Sequence, residues 1–212
     1  MNLSIPILEN FIYSNTNSMS GQLCDEIIQM YEEESDGKYE GITASGLNKK
    51  IKKNMDFIIK KSDSKWTKIH QFLEKELHKN VKIYIDELNK EEGYNTDQYS
   101  TNKYKILNYQ AFSTNHFMIQ RYIKNSGRYI YHEDFAVEWK EEKYRVITFL
   151  WYLNTLEEGG ETEFWGNYRI QPEKGKLVLF PASWTFPHCG KMPISDNKYI
   201  ITGWLYVHNN NT

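Results

Sequence analysis

Cysteine is almost absent from this chain: Cys24 and Cys189 are the only two in 212 residues. Two thiols give no disulfide framework, so a reducing, cytoplasmic setting is expected. Long apolar runs are missing as well. None approaches the roughly 18 residues that a membrane helix needs, so no membrane span is expected. The opening stretch Met1-Asn-Leu-Ser-Ile-Pro-Ile-Leu-Glu-Asn10 has neither a basic lead nor a long apolar run, and does not read as a signal peptide. Nor is there an excess of one charge. Lys plus Arg number 26 and Asp plus Glu 28, a net charge of −2. Phosphate binding normally shows as a basic excess, so nucleic acid is not the expected partner. The basic clusters Asn48-Lys-Lys-Ile-Lys-Lys-Asn54 and Lys60-Lys61 read as solvated loop. There is no internal repeat and no low-complexity tract.

What is present suits a single globular domain with a substantial core. Apolar residues make up 40% and charged residues 25%, which excludes a largely disordered chain. The aromatic share is high at 15%, with 16 Tyr and 6 Trp, and suits strands around a large pocket.

The order of elements is helices first, then strands. Leu23, Ile27, Met30 and Tyr31 share one helical face, with Ser20 placed to cap it. A longer helix is predicted from about Ser64 to Leu88, started by Ser62 or Ser64 and ending before Gly93. Its stripe runs through Trp66, Ile69, Leu73, Leu77, Val81 and Tyr84. His70 and His78 are expected on its surface. Residues 35–53 and 91–102 read as exposed polar segments, the first of them mobile.

From about Lys105 the period changes to two. Eight strands are predicted: 111–112, 116–122, 127–135, 145–153, 161–165, 168–171, 176–181 and 198–207. Helices followed by many short strands indicate an α+β chain whose sheets form a sandwich or barrel, and eight strands match a jelly roll. The division expected is helical support over 1–104 and a jelly-roll core over 105–208.

Within the third strand stands Tyr131-His-Glu-Asp-Phe135. Alternation points His132 and Asp134 to one face, where a histidine and a carboxylate can share a divalent metal. Such a pair is common as plain surface polarity and needs partners. A second histidine would complete the two-His, one-carboxylate set of non-haem Fe(II) oxygenases. His188, in Trp184-Thr-Phe-Pro-His-Cys-Gly190, is the best candidate. Ten positions later Lys198 opens the last strand, whose alternation carries Ile200, Thr202, Trp204 and Tyr206 to the same face. A lysine entering a mostly apolar face is costly unless an anion meets it. A dicarboxylate, one end on iron and the other on Lys198, supplies that anion.

His-x-Asp, a distal His and a basic residue ten positions on resemble the 2-oxoglutarate and Fe(II)-dependent oxygenases. Arg145-Val-Ile-Thr-Phe-Leu-Trp-Tyr-Leu-Asn154, Glu158-Gly-Gly-Glu-Thr-Glu-Phe164 and Pro172-Glu-Lys-Gly-Lys-Leu-Val-Leu-Phe180 are similar to their prolyl 4-hydroxylase branch. The resemblance spans about residues 117–207. It implies a double-stranded β-helix, a jelly-roll core flanked by N-terminal helices. It makes His132, Asp134 and His188 the iron ligands and Lys198 the partner of the distal 2-oxoglutarate carboxylate. Tyr122 then lines the cosubstrate pocket, and Tyr152 reaches the carboxylate held by Lys198. Thr202 and Trp204 line the pocket from the last strand, and Thr148 shares the face of Tyr152. Residues 41–56 fall where those enzymes often carry a mobile lid, and residues 35–61 are a candidate substrate lid.

Gly159 and Gly160 read as turn residues and Cys189 as structural. Trp184 and Phe186 can be substrate-facing or core. His116 and His208 have no partner at ligand spacing.

The activity implied is hydroxylation of a C–H bond, most directly on a peptidyl proline of a peptide or protein substrate. Fe(II), 2-oxoglutarate and O2 are the cofactor set, with ascorbate as a reductant. The competing readings are hydroxylation of a free amino acid or other small molecule, an inactive jelly-roll binding module, and a zinc hydrolase on the same ligands. The last leaves Lys198 without a purpose.

Overall fold

The computed structural model describes residues 8–43, 45–89, 107, 109–114 and 116–208. The expected polar segment 91–102, with Gly93, lies outside them. Strand β1 (Tyr13–Asn15) precedes helix α1 (Gly21–Glu33). Strands β2 (Lys38–Glu40), β3 (Lys52–Lys53) and β4 (Met55–Ile59) lead to helix α2 (Thr67–Asn89). The strand-rich half follows with β5 (Ser113–Thr114), β6 (Phe117–Tyr122), β7 (Arg128–His132), β8 (Val137–Glu138) and β9 (Lys143–Tyr152). It closes with β10 (Thr162–Phe164), β11 (Tyr168–Ile170), β12 (Leu177–Pro181), β13 (His188–Gly190) and β14 (Lys198–His208).

The strands form two antiparallel sheets. The larger runs β1-β12-β9-β14-β6-β4-β2, with β5 on β14 and β8 on β9; the smaller runs β11-β10-β13-β7-β3. This is an α+β jelly roll, as expected. Alternation along the strands of the larger sheet sends each set of side chains to a different core. Phe117 and Ile119 of β6, Phe149 and Trp151 of β9, and Ile201 of β14 join Ile27, Tyr31, Trp66, Leu73 and Leu77 beneath the helices. Their neighbours Met118, Gln120, Thr148, Leu150, Ile200 and Thr202 face the other sheet across a cavity. Each fully buried Leu, Ile or Phe on the helix side contributes about 1.5–3 kcal/mol relative to exposure. The helix-packed layer is therefore the stable support, and the inner face is left free for polar residues. Gly203 sits within β14 because a Cβ there would meet the Phe149 ring at 2.5 Å and the His116 carbonyl at 2.9 Å.

Helix α1 begins as the sequence indicates, with Ser20 accepting from the Leu23 N–H and Cys24, Ile27 and Tyr31 buried. At the start of α2 the side chain that accepts a backbone N–H is Asp63, from Lys65, between the two serines expected to do so.

Several expectations are corrected. His70 is not on the helix surface: it is 5% exposed and packs edge-on against Phe117, since Phe117 projects under α2. The first hundred residues are not helical support alone. They add β1, β2 and β4 to the larger sheet, β4 pairing with β6 from Met55↔Arg121 to Ile59↔Phe117. Residues 35–53 are not uniformly exposed, because β2 and β3 are built from them and Lys52 is 4% exposed. That lysine therefore leaves the supposed solvated cluster. Its ammonium pairs at 2.9 Å with Asp56, which is also buried. Burying either charge alone would be prohibitive, and together they staple β3 of one sheet to β4 of the other. The first strand of the later half is Ser113–Thr114, since Tyr109–Ala111 forms a 3-10 turn instead.

Candidate metal centre

Three chain segments meet at one end of the cavity. His132 closes β7, Asp134 follows two residues on, and His188 opens β13, which pairs with β7 so that His132 and His188 are register partners. Their rings stand 4.3 Å apart between centroids. Each imidazole spends Nδ1 on the carbonyl two residues earlier, His132 on Ile130 at 2.8 Å and His188 on Phe186 at 3.1 Å. The tautomer is thereby set, and both Nε2 atoms turn to the centre. They lie 3.7 Å and 3.6 Å from the two oxygens of Asp134. All three ligand atoms fall within 4.8 Å of one another.

The surroundings hold these groups in ligating form. Burial, then the neighbouring His188, lowers the His132 pKa to about 4 and keeps it neutral. Burial alone would raise the Asp134 carboxyl, but His188, His132 and the Thr148 hydroxyl hold it below the usual carboxylate value. Thr148 Oγ1 donates to Asp134 Oδ2 at 2.7 Å. Tyr129 stacks on His132 at 3.5 Å with a 15° interplanar angle. Two imidazole nitrogens and one carboxylate, each oriented by a neighbour, fit a divalent iron that keeps open positions toward the cavity.

The cavity holds about 470 Å³. At its other end Lys198 is 2% exposed, and burial lowers its pKa to about 7, with Glu161 opposing. Among the described residues no carboxylate is within ion-pair distance of it. Its ammonium stands 5.6 Å and 5.3 Å from the ring centres of Tyr122 and Tyr152. A buried cation with no carboxylate of the described residues in pairing distance fits a carboxylate ligand.

Of the other pocket residues read from the sequence, Tyr122, Thr148, Thr202 and Trp204 line the cavity. Thr202 donates to the Phe149 carbonyl and Tyr122 to Gln120. Tyr152 is placed differently: it is fully buried behind Thr162, to whose Oγ1 its hydroxyl donates at 2.7 Å, and Thr162 is the residue on the cavity wall. Tyr206 leaves the shared face because β14 bulges between Leu205 and Tyr206, and its hydroxyl bonds Glu138. Phe186 is core, whereas Trp184 is 78% exposed. Gly159 and Gly160 do turn the chain, with φ of 74° and 75°. Cys189 is buried against Glu163.

Residues missed at sequence level are Gln120, Tyr129, Arg145, Thr162 and the Lys52–Asp56 pair, all on the cavity wall. Gln120 could have been found, because alternation places it on the face of Tyr122. Arg145 packs its guanidinium on the Trp204 ring, 3.6 Å from the centroid. Arg145 Nε and Trp204 Nε1 are buried without a well-formed hydrogen bond.

Residues 117–206, from β6 to within two residues of the end of β14, match the family model of the 2OG-Fe(II) oxygenase superfamily. Over that stretch the chain is similar to that superfamily. Fe(II) is the metal of such an oxygenase, and 2-oxoglutarate and O2 are its cosubstrates. Solved structures share the fold along nearly the whole chain. A viral collagen prolyl hydroxylase from Paramecium Bursaria Chlorella virus-1, in complex with 2-oxoglutarate, is 17% identical at a TM-score of 0.61. The match covers 93% of this chain and 96% of that one. A prolyl hydroxylase from Trichoplax adhaerens, in complex with a hypoxia inducible factor peptide fragment, is 20% identical at a TM-score of 0.64, covering 93% and 84%. A Pseudomonas putida prolyl-4-hydroxylase is 13% identical at 0.59, covering 92% and 91%. No curated protein matches the chain.

Proposed function

We propose that this oxygenase hydroxylates a peptidyl proline, with His132, Asp134 and His188 holding Fe(II) and Lys198 pairing with the far carboxylate of 2-oxoglutarate. The observation that carries the site assignment is the cavity with a three-ligand cluster at one end and an unpaired buried ammonium at the other. When bound, iron and 2-oxoglutarate supply O2 activation and the oxidation of a C–H bond.

The chain's own residues bind, orient and exclude water. Thr148 fixes one oxygen of Asp134, and the two backbone carbonyls fix the imidazoles. Tyr122 and Thr202 flank the path between Lys198 and the metal ligands. Arg145 Nε, buried on the cavity wall beside Trp204 without a well-formed hydrogen bond, suits an acceptor oxygen on the substrate. A peptide carbonyl or the carboxylate of a free amino acid meets that need. Exposed Ile42 and Phe135 stand on the rim, as apolar side chains for a peptide to cover. The peptide reading is further supported by the Trichoplax relative, which was solved with one.

No helix of the described residues is long and apolar enough to cross a membrane. The proposed setting is cytoplasmic, where the free, buried Cys24 and Cys189 stay reduced.

The test is succinate formation from 2-oxoglutarate with Fe(II), ascorbate and O2, with and without proline-rich peptides. Peptide-stimulated turnover that adds one oxygen to a proline is expected. Stimulation by free proline or another amino acid, and not by peptides, would overturn the peptide reading in favour of a small substrate.

A further inference from the structure

The wall between Lys198 and the metal ligands carries an amide whose acceptor, among the described residues, is a thioether. Gln120 lies in β6, 5% exposed, on the cavity face. Tyr122 donates to its Oε1 at 2.8 Å. That contact turns Nε2 the other way, where its hydrogen-bond partner among the described residues is the Met118 sulfur at 3.9 Å. A thioether is a weak acceptor. The nearest carboxylate in register, Asp56 opposite Gln120, is already taken by Lys52 and Asn54. A buried amide donor served by a thioether alone is poorly satisfied, and a ligand oxygen would give it a strong acceptor.

Register gives the position of that oxygen. Lys198 pairs with Tyr122, Ile200 with Gln120 and Thr202 with Met118. Two residues further along β14, Trp204 pairs with Thr148, which holds Asp134. Gln120 is thus one step of two residues, roughly 6.8 Å, from the Lys198 row toward the metal ligands. A diacid held by Lys198 at its far end passes Gln120 with its keto-acid half.

We propose that Gln120 is a cosubstrate-binding residue, its Nε2 donating to an oxygen of the keto-acid half of 2-oxoglutarate. The inference rests on Lys198 holding the far carboxylate. It divides the recognition of one molecule between an ammonium and an amide that reaches it through the orientation set by Tyr122.

The experiment is calorimetric binding of 2-oxoglutarate and of pyruvate, which lacks the distal carboxylate, to the 212-residue protein loaded with Zn(II) to prevent turnover. Gln120→Met is expected to weaken both ligands by the same factor, about tenfold or more. Lys198→Met is expected to weaken 2-oxoglutarate alone. Tyr122→Phe should cost less than Gln120→Met. Gln120→Glu, which keeps the acceptor for Tyr122 but replaces the donor with an anion, should weaken binding at least as much and serves if the Met variant fails to fold. Wild-type affinity in both Gln120 variants would overturn the proposal. So would Tyr122→Phe matching Gln120→Met with no further loss in the double variant, since Gln120 would then act only through Tyr122. Wild-type protein that bound pyruvate and not 2-oxoglutarate would remove the Lys198 reading instead, while Gln120→Met would still report on the amide.

Discussion

Thr148 Oγ1 donates to Asp134 Oδ2 at 2.7 Å, from the middle of β9 to a residue just beyond the end of β7. Asp134 lies outside any strand, so this bond fixes the one ligand that no ladder holds. Thr148→Val keeps the shape and removes the donor. It should lower metal affinity by about 10–100-fold, measured by chelator competition, with the thermal midpoint nearly unchanged. Asp134→Ala should abolish metal binding. Equal affinity in Thr148→Val would mean that Asp134 is held by other means.

Lys198 links cosubstrate binding to pH. Its folded pKa, about 7, lies below its value of about 10.4 in an unfolded chain. Between those values the unfolded state carries the extra proton, so stability rises with pH across that window. The cost of the buried charge is fully present below about pH 7. Binding a carboxylate there favours the ammonium, so 2-oxoglutarate should take up protons at pH 8. Calorimetry in buffers of different ionisation enthalpy measures this. Lys198→Met should abolish the uptake and weaken 2-oxoglutarate by about 3 kcal/mol or more. Uptake that persisted in the variant would assign the proton elsewhere.

The Lys52–Asp56 pair is expected to be structural, in the strict sense that half of it is worse than none. Asp56→Ala strands a buried lysine and should cost about 3–5 kcal/mol in chemical denaturation. Replacing both with apolar residues of similar volume should recover much of that loss. A single variant as stable as wild type would show that the lysine finds water.

Proteolysis should be narrower than a lid over residues 35–61 would give. Ile42 and Leu47 are 57% and 56% exposed, whereas Lys52, Asn54 and Asp56 are buried. Cleavage is expected between residues 42 and 50 and should slow when peptide substrate is bound. First cuts within β4 would contradict the pairing of that strand with β6.

Much of the site was legible because its cues are local. His132 and Asp134 are two apart, Lys198 follows His188 by ten, and alternation along β6, β9 and β14 separates the residues that face the cavity from those under the helices. Ser20 capping α1 is equally local. Gln120 was within reach of the same alternation.

What the sequence by itself determined is which residues could ligate, which face each shares, and the order of helices before strands, because periodicity and capping act within a few residues. The tertiary structure alone decided that His132 and His188 become register partners, that Tyr152 serves Thr162, and that Lys52 is buried on Asp56. It also decided that two- and three-residue segments such as β3 and β2 are strands at all. Segments so short have no period to read; their backbone groups are satisfied by partners far along the chain. A charge tolerates burial only where folding delivers the opposite charge or a ligand.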